Sequence, residues 1–467
     1  MDKNKNKNKN ISSNITMDKI VSLAKRRGFI FPSSEIYDGF AGSYTYGPYG
    51  VELKNNIKNL WWKMFVQNRT DIIGLDGPIL LNPKLWQVSG HTEGFNDAMV
   101  DCKKCKKRFR ADHLVEEITG RDMEGDLEGM SMVIQEKQIK CPECGELDWT
   151  EVRNFNMMFT TKMNSIAEPV YLRPETAGAI FIEFKNILDS MRVKVPFGIA
   201  QIGKAFRNEI VTSNFIFRLR EFEQMEIEYF IEPDSDWESI FMDWLEKQEK
   251  FAYNLGIAKE YIKRYEHPKE KLSHYSKKTI DVEYNFPFGF SELFGLANRT
   301  DFDLKSHMNA SGKSLEYFDQ VNNKKYIPHV IEPTFGLDRS ILACLCSAYT
   351  EEKLEDGDSR VVLKFPKNLA PIKVAVFPLL KNKPELVQKA REIFGELNEY
   401  LMCEFDDNGN IGKRYRRQDE IGTPYCVTID FDSLESDTVT ARDRDTMKQE
   451  RVKVAELTAY LKTNIGI

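Results

Sequence analysis

The stretch FRLREFEQMEIEYF, residues 217–230, places charged side chains inside a pattern typical of a β-strand. Strand side chains alternate between two faces, so one face carries Arg218, Arg220, Phe222, Gln224, Glu226 and Glu228. A buried charge without a partner destabilises a fold by several kcal/mol. The pattern therefore predicts a face that binds a polar ligand. The alternative is an exposed face with weak surface ion pairs.

Two further segments repeat this mixture of cations and carboxylates. In QIGKAFRNE, the same alternation puts Gln201, Arg207 and Glu209 on one face. In SELFGLANR, Glu292 interrupts an otherwise apolar run. Neighbouring strands that each present arginine and glutamate predict a shared ligand-binding surface.

The segment HVIEPTFGLDR ends a strand and begins a helix. Glu332 and Thr334 share a face, and Gly336 permits close approach of the backbone to a ligand. Arg339 falls in the first turn of the helix, where a helix N-terminus and an arginine can bind an anion; the alternative is an ordinary surface arginine. Arginines suit phosphates, an aromatic ring suits a nucleobase, and carboxylates suit a cation or an ammonium group. The segments together predict a nucleotide and an amine as ligands.

Two cysteine pairs, in DCKKC and CPEC, have the spacing of metal-binding knuckles. The candidate ligands are Cys102, Cys105, Cys141 and Cys144. The pairs bracket residues 106–140, a longer gap than in a typical zinc ribbon, so zinc and reduced structural thiols are both open interpretations. Four thiolates leave no open coordination position, so any zinc here is structural. The other four cysteines lack ligand spacing and are expected in the core.

Length and composition indicate a globular protein of several domains. The chain has 467 residues, which predicts two to four domains at roughly 150 residues each. Its net charge of −6 argues against a general nucleic-acid coat but allows a local basic groove, and no apolar run approaches the ~20 residues of a membrane helix. Residues 1–16, rich in Lys and Asn, are no secretory signal and are expected to be a disordered tail or a basic tether for RNA. Together with the cysteine pairs, this predicts a reducing, cytoplasmic location.

Periodicity predicts the elements that position these residues. Residues 51–69 are expected to form a long helix, and consecutive strands with few helices between them favour an antiparallel sheet. Insertions are expected over 101–150, which carries the cysteines, and over about 233–277, which is charged and helical. The linker LKFPKNLAPIK marks a boundary near residue 366. Beyond it we predict strands at 373–378, 401–405, 425–431 and 437–442, and helices at 384–400 and 448–462.

Several motifs resemble those of a known family. FRNE with RLREF resembles motif 2 of the class II aminoacyl-tRNA synthetases, FGLDR resembles motif 3, and the long helix with GPIL resembles motif 1. From about residue 18 to the C-terminus the chain is similar to glycyl-tRNA synthetases of the dimeric bacterial and eukaryotic type. The stretches that carry this similarity are YGPYGVELKNN, SGHTEGFNDAMVDCKKCKKRFRADHL, LRPETA, VIEPTFGLDR and IGKRYRRQDEIGTPY.

The resemblance implies an α+β fold. A class II antiparallel sheet flanked by helices would span residues 17–365, including the cysteine-rich insertion, and an α/β anticodon-binding domain would span 366–467. It also implies an ATP-dependent ligase that joins glycine to tRNA(Gly) through glycyl-adenylate, with magnesium accompanying ATP. The motif 1 helix implies a homodimer.

Two other functions compete with this one. A proline or threonine enzyme of the same subclass is disfavoured by the cysteine insertion and by RADHL and VIEPTFGLDR. A non-catalytic accessory subunit that binds nucleic acid is disfavoured because Arg207, Glu209 and Arg339 are all present.

The resemblance assigns roles to individual residues. Catalysis is assigned to Arg207, Glu209 and Arg339. ATP binding is assigned to Arg207, Asn208, Glu209, Phe217, Arg218, Phe222, Glu292, Leu293, Gly336 and Arg339, with Glu292 also on magnesium. Glycine binding is assigned to Arg110, Glu175, Phe222, Glu226, Glu332, Thr334 and Gly336.

Two further stretches allow more than one interpretation. Similar enzymes read RPETAQG where this chain reads RPETAGA, so the packing of Gly178 and Ala179 beside Glu175 is open. The basic stretch KRYRRQ, residues 413–418, is expected either to contact anticodon phosphates or to be a solvated charged surface.

Overall fold

The computed structural model describes residues 15–121, 123, 125–353 and 357–467. Of the Lys/Asn-rich segment predicted for residues 1–16, residues 1–14 lie outside the described residues. Thr16 begins the first helix, since its hydroxyl accepts a hydrogen bond of 3.3 Å from the Lys19 amide. Across the described ranges, no helix combines the length and the apolar character needed to cross a membrane.

The N-terminal segment joins a short hairpin to a long helix. Its elements are α1 (Met17–Arg26), β1 (Ile30–Pro32), β2 (Tyr44–Tyr46), α2 (Pro48–Trp62), β3 (Ile72–Gly74), α3 (Pro83–Val88) and α4 (His91–Gly94). Together with a π-helical turn at Lys63–Gln67, α2 accounts for most of the helix predicted over 51–69. It buries Leu53, Ile57 and Trp61, which share one face at intervals of four residues.

The cysteine-bearing segment forms a small module with its own core. Its elements are β4 (Asn96–Asp101), β5 (Arg108–Arg110), α5 (Ala111–Thr119), α6 (Leu127–Glu136) and β6 (Arg153–Asn156). β4 lies between β5 and β6 and is antiparallel to both. Val100, Val115 and Met130 are among the side chains that fill the core of the module.

A seven-stranded sheet dominates the middle of the chain. The strands that follow the cysteine module are β7 (Thr160–Thr161), β8 (Val170–Tyr171), β9 (Phe197–Phe206), β10 (Glu221–Ile231), β11 (Ile262–Glu266), β12 (Lys278–Phe286), β13 (Gly289–Thr300), β14 (Tyr317–Asp319), β15 (Lys324–Tyr326), β16 (His329–Gly336), β17 (Tyr349–Lys353) and β18 (Ser359–Leu363). The helices between them are α7 (Ala177–Met191), α8 (Trp237–Asn254), α9 (Phe302–Ser311) and α10 (Leu337–Ala348). The large sheet has the order β11-β12-β13-β16-β10-β9-β3, antiparallel throughout except for the β9–β3 pair.

The two faces of this sheet differ as alternation in β10 predicts. Met225, Ile227 and Tyr229 belong to a large apolar core that also receives residues from α2, α8 and α10. The opposite face packs against α7 and α9, where Phe230 contributes to a second apolar core. On that face, Gln224, Glu226 and Glu228 precede Phe230 along β10. One end of this face of the sheet is therefore polar.

Two sequence predictions about these elements need correction. The segment expected to be helical over about 233–277 contains one long helix, α8, and then β11, which joins the edge of the large sheet. The strand expected over 217–230 begins only at Glu221, after a 3₁₀ turn at Phe215–Phe217. Arg218 and Arg220 therefore precede the strand, and simple alternation does not place them.

The C-terminal segment forms a mixed sheet with helices. Its elements are β19 (Val374–Pro378), α11 (Pro384–Asn398), β20 (Cys403–Phe405), α12 (Ile411–Ile421), β21 (Tyr425–Ile429), α13 (Phe431–Ser436), β22 (Thr438–Asp443), β23 (Gln449–Lys453) and α14 (Val454–Ile465). The strand order is β20-β19-β21-β22-β23, with β19 parallel to β20 and β21. All four predicted strands and the helix predicted over 384–400 are present. The helix predicted over 448–462 is wrong at its start, because Gln449–Lys453 forms β23 at the edge of the sheet and α14 begins only at Val454. Helices α12 and α13 were not predicted.

Candidate active site

A cavity of about 310 Å³ opens on the α7 face of the large sheet. Its floor is formed by side chains of β10, β12, β13 and β16. Strand register aligns the polar residues, because Glu226 pairs with Thr334 and Thr334 pairs in turn with Gly295. One row of the cavity floor therefore crosses three strands.

Most of the residues assigned by resemblance line this cavity. They are Glu175, Arg207, Glu209, Phe217, Arg218, Phe222, Glu226, Glu292, Glu332, Thr334, Gly336 and Arg339. Three others do not. Leu293 is buried in the apolar core, the Asn208 amide donates to the Met157 carbonyl, and Arg110 forms ion pairs with Asp97 and Asp112 in the cysteine module.

Arg207 lies between two aromatic rings at one end of the cavity. Its guanidinium carbon is 5.3 Å from the ring centroids of both Phe95 and Phe222. Next to it, Arg218 Nε donates to Glu209 Oε2 at 2.9 Å. Arg207 Nε donates to the Pro174 carbonyl at 3.2 Å, so this bond and the two rings fix the plane of the guanidinium, which can present its remaining donors to a ligand. This end of the cavity therefore suits a phosphate and an aromatic base.

Arg339 forms the other cationic end. It lies in the first turn of α10, over the ring of Phe217 at 4.5 Å, and its Nη1 contacts Glu292 Oε2 at 2.8 Å. Gly336 has no Cβ, and an added one would approach the Arg339 side chain at 3.4 Å. The charge of Arg339 lowers the pKa of Glu292, so that carboxylate is ionised and available to a cation.

Asp281 stands beside Glu292 and completes an acidic corner. Burial and the charge of Glu292 raise the pKa of Asp281 to about 6. His267 Nε2 contacts Asp281 Oδ2 at 2.8 Å. Two carboxylates next to an arginine could hold the magnesium ion that accompanies a nucleoside triphosphate. The residues present therefore fit such an ion.

Buried carboxylates occupy the floor between these two ends. Glu226 accepts hydrogen bonds from the hydroxyls of Thr176 and Thr334, the second at 3.0 Å. Glu332 Oε1 accepts from Arg299 Nη1 at 2.8 Å. Arg299 also donates two bonds of 2.8 Å to Asp303. One arginine thus faces more carboxylates than it can neutralise, which suits a ligand with an ammonium group.

The protonation of these carboxyl groups depends on their neighbours. Burial raises the pKa of Glu332 to about 8, although Arg299 acts in the opposite direction. Burial and the charge of Glu175 raise the pKa of Glu226. For Glu175, burial is outweighed by His91, Arg299 and Arg207, which together lower its pKa to about 2.

A chain of hydrogen bonds holds Glu175. Its Oε2 lies 3.3 Å from His91 Nε2, and His91 Nδ1 lies 2.8 Å from the Ser89 hydroxyl. Trp86 and Phe95 pack their rings edge-on against the imidazole. The SGHTEGF stretch therefore supplies a support for the cavity that strand alternation does not reveal.

Arg299 and Asp281 were also missed by the sequence analysis. Alternation from Glu292 predicts that Arg299 points to the opposite face of β13. A β-bulge at Leu293 reverses this, because Glu283 pairs with Glu292 while Val282 pairs with Phe294. Leu293 and Phe294 therefore both enter the core. The only available signal was the spacing of four residues between Arg299 and Asp303, which is typical of an ion pair at a helix start.

The packing of Gly178 in the RPETAGA stretch is tight. An added Cβ would meet Leu85 and Trp86 at 3.0 Å. Gly178 therefore lets the start of α7 pack directly against α3. Ala179, which is buried, takes the space beside Gly77.

The four cysteines of the small module come together. Cys102 and Cys144 have their Sγ atoms 3.6 Å apart, and those of Cys105 and Cys141 are 3.7 Å apart. A tetrahedral zinc ion with Zn–S bonds of about 2.3 Å separates its sulfurs by about 3.8 Å. Both halves form the same turn, with Lys106 donating to the Cys102 carbonyl and Gly145 to the Cys141 carbonyl at 2.9 Å. The four thiols therefore fit the ion.

The basic stretch 413–418 is only partly a surface. Arg414 is 1% exposed and donates to the backbone carbonyls of Pro378, Asp407 and Gly409. Arg417 pairs with Asp406. Arg414 is therefore neither a phosphate contact nor part of a solvated surface, because its side chain is buried and holds the loop before α12.

Three protein-family models match this chain. The tRNA synthetase class II core domain (G, H, P, S and T) matches residues 159–349. The glycyl-tRNA synthetase insertion domain 1 matches residues 118–157, and the anticodon binding domain matches residues 373–464. The α+β fold class and its C-terminal domain are thereby confirmed.

Curated relatives cover nearly the whole chain. The glycine–tRNA ligase of Clostridium acetobutylicum is 53% identical over 461 residues, which cover 96% of this chain and 99% of that protein. The glycine–tRNA ligases of Acetivibrio thermocellus and Geobacillus thermodenitrificans are also 53% identical. They cover 95% and 97% of this chain, and the match spans 97% and 98% of their own lengths. This chain therefore belongs to the glycine–tRNA ligase family of the class II aminoacyl-tRNA synthetases.

Proposed function

We propose that this protein activates glycine with ATP, releases pyrophosphate, and transfers glycine from glycyl-adenylate to the 3′ end of tRNA(Gly). The observation that carries the proposal is one cavity in which arginines suited to a polyphosphate adjoin buried carboxylates suited to an ammonium group. The activity of the family agrees with that combination. A cytoplasmic location belongs to the proposal, supported by eight cysteines that form no disulfide.

Adenylate formation needs positioning and charge stabilisation more than acid–base groups. The glycine carboxylate attacks the α-phosphorus while pyrophosphate leaves on the opposite side. We assign Arg207 to the α-phosphate and Arg339 to the γ-phosphate side. Phe222 offers its ring to the adenine, and Glu209 is assigned to the base. Asn208, Phe217, Arg218, Leu293 and Gly336 remain predicted ATP contacts.

Magnesium would be held at the acidic corner of the cavity. Glu292 is the predicted ligand, and Asp281 is added to it because the two carboxylates are neighbours in the cavity. When bound, the ion would neutralise part of the negative charge of the triphosphate.

Glycine would lie over the row of carboxylates. We assign its ammonium group to Glu175, Glu226 and Glu332, with Thr334 holding Glu226 in place. The cavity rejects larger amino acids by steric exclusion, which is easier than rejecting a smaller one. Arg110 remains a predicted glycine ligand, but it would have to leave Asp97 and Asp112 to reach the cavity.

We infer that the four cysteines hold a structural zinc ion. Their sulfur separations support this because they match a tetrahedral site. With all four ligands supplied by the protein, the ion would tie the two knuckles together and take no part in the reaction.

A homodimer and an anticodon-binding C-terminal domain complete the proposal. Ile36 and Tyr37, in the hairpin before α2, are 87% and 79% exposed. Exposed apolar side chains of this size are typical of an interaction surface. Sedimentation velocity tests the dimer: we expect one species of twice the chain mass, and a monomer at micromolar concentration would contradict it.

Amino-acid-dependent ATP–pyrophosphate exchange tests the activity without tRNA. We expect exchange with glycine and with no other of the standard amino acids. Arg207→Gln should reduce the exchange by about a hundredfold, because it removes charge stabilisation of the transition state. Arg264→Gln is the matched control, since Arg264 does not line the cavity and instead pairs with Glu249.

The other outcomes of this experiment separate the alternatives. Exchange with a different amino acid would contradict the glycine subsite while keeping the class II chemistry. No exchange with any amino acid, in folded protein with magnesium, would favour the non-catalytic accessory subunit.

A further inference from the structure

Glu228 is a member of the opening sequence pattern that the proposed chemistry does not use. It lies on β10 between Glu226, which lines the cavity, and Phe230, which enters an apolar core. Its side chain is fully buried. Neither carboxyl oxygen has a hydrogen-bond partner among the described residues. An ionised carboxylate in such a place would be strongly destabilising.

The groups around Glu228 are mostly of the same charge. Its carboxyl oxygens share a cluster with those of Glu226 and Glu332, where one oxygen from each lies within 4.8 Å of the others. The positive charge of Arg299 on β13 favours the ionised form of Glu228, and the negative charge of Asp303 on α9 disfavours it. From α7, the side chains on this face are apolar, as with Phe181 and Phe184.

Arg299 makes no hydrogen bond to Glu228. Its guanidinium already donates two hydrogen bonds to Asp303 and one to Glu332. Glu226 is also engaged, because it accepts from two threonine hydroxyls. The two threonines bind both carboxyl oxygens of Glu226, whereas Arg299 binds Glu332 through its Oε1 atom. A proton on Glu228 can therefore be shared best with Glu332.

We propose that Glu228 is a positioning residue for glycine recognition. It stays protonated and donates a hydrogen bond, across one water molecule, that favours the ionised form of Glu332. Glu332 is then available to the ammonium group of glycine. This inference rests on the proposed function, because it concerns the same amino-acid subsite.

The physical reason is that a hydrogen bond to the charged form of a carboxyl group stabilises that form. Burial works against the ionisation of Glu332 and raises its pKa. A neutral acid beside it supplies a donor without adding a further negative charge. An ionised Glu228 would do the opposite, since it would repel the charge that glycine requires on Glu332.

Two substitutions separate these roles. Glu228→Gln keeps a neutral donor of the same shape, whereas Glu228→Leu removes the donor. The matched control is Tyr229→Phe, which removes a hydroxyl from the next residue of β10 on the opposite face. The measurement is ATP–pyrophosphate exchange with varied glycine at saturating ATP, repeated between about pH 6 and about pH 9.

We expect Glu228→Gln to keep the glycine KM within about twofold of the wild-type value, because the amide replaces the donor. Glu228→Leu should raise the glycine KM about tenfold with the ATP KM unchanged. It should also move the acid limb of the kcat/KM profile up by about one pH unit, since Glu332 loses stabilisation of its ionised form. Tyr229→Phe should leave both KM values unchanged.

The melting temperature of the variants tests the protonation state of Glu228 independently of the kinetics. Near neutral pH the unfolded chain ionises Glu228 and the folded chain does not, so this group opposes folding. Glu228→Gln removes that ionisation and should raise the melting temperature. A lower melting temperature for this isosteric variant would overturn the neutral assignment.

The kinetic outcomes are equally decisive. A raised glycine KM for Glu228→Gln would mean that the charge of Glu228 is needed, which overturns the proposal. A wild-type glycine KM for Glu228→Leu would show that Glu228 has no part in glycine binding. If Glu228→Leu does not fold, Glu228→Met takes its place. Absence of glycine exchange in the wild-type enzyme would overturn the proposed function itself, so the two failures are distinguishable.

Discussion

At the residue scale, the proposed contact between Glu332 and glycine predicts that glycine binding depends on pH. Burial raises the pKa of this carboxyl group to about 8, and only its ionised form attracts an ammonium group. As the pH rises through that pKa, Glu332 loses its proton and the glycine KM should fall. Measured exchange rates from about pH 6 to about pH 9 test this. A glycine KM that is constant over that range would contradict it, and the ATP KM is the internal control.

His91 supports Glu175 at the same scale. Its ring lowers the pKa of Glu175 and is fixed in turn by Ser89. His91→Ala should raise the glycine KM about tenfold, because a buried carboxylate loses a hydrogen-bond partner. His113→Ala is the control, since His113 is exposed on the cysteine module. A wild-type glycine KM for His91→Ala would show that Glu175 is held by its other neighbours.

At the element scale, the two cysteine knuckles depend on each other. The rings of Trp149 and Phe109 contact each other in the core of the cysteine module. This core is small. Small modules are often stabilised by a metal. Cys141→Ser should therefore lower the zinc content and reduce the melting temperature by about 5 °C. Cys403→Ser, at a buried cysteine of the C-terminal domain, is the control for zinc content.

A chelator gives the complementary result for these knuckles. It should lower the melting temperature of the wild-type protein and have little effect on Cys141→Ser. A purified protein that contains no zinc and whose melting curve ignores the chelator would leave reduced thiols as the correct interpretation.

At the scale of the whole molecule, a buried ion network joins the C-terminal domain to the segment before it. Asp419 of α12 binds Arg360 of β18 at 2.8 Å and Arg442 of β22 at 2.9 Å. Asp419→Ala leaves two buried arginines without this partner and should lower the free energy of unfolding by about 3 kcal/mol. Urea unfolding measures this. Asp432→Ala, at an exposed pair with Arg451, should change stability by less than about 1 kcal/mol.

The sequence alone determined the chemistry that the cavity contains and the class of fold around it. Strand alternation predicted that Phe222, Gln224 and Glu226 share a face, and all three line the cavity. The cysteine spacing predicted a cluster of thiols. These inferences succeeded because side-chain direction along a strand and a two-residue gap in a knuckle are local properties of the chain.

Only the tertiary structure decided which other residues join them. The bulge at Leu293 brings Arg299 into the cavity, and the late start of β10 turns Arg220 away from it. Arg414 is buried although its neighbours are basic. Bulges, strand ends and burial depend on how distant segments pair and pack. That pairing also places Glu228 beside Glu332, so its protonation is a property of the folded molecule.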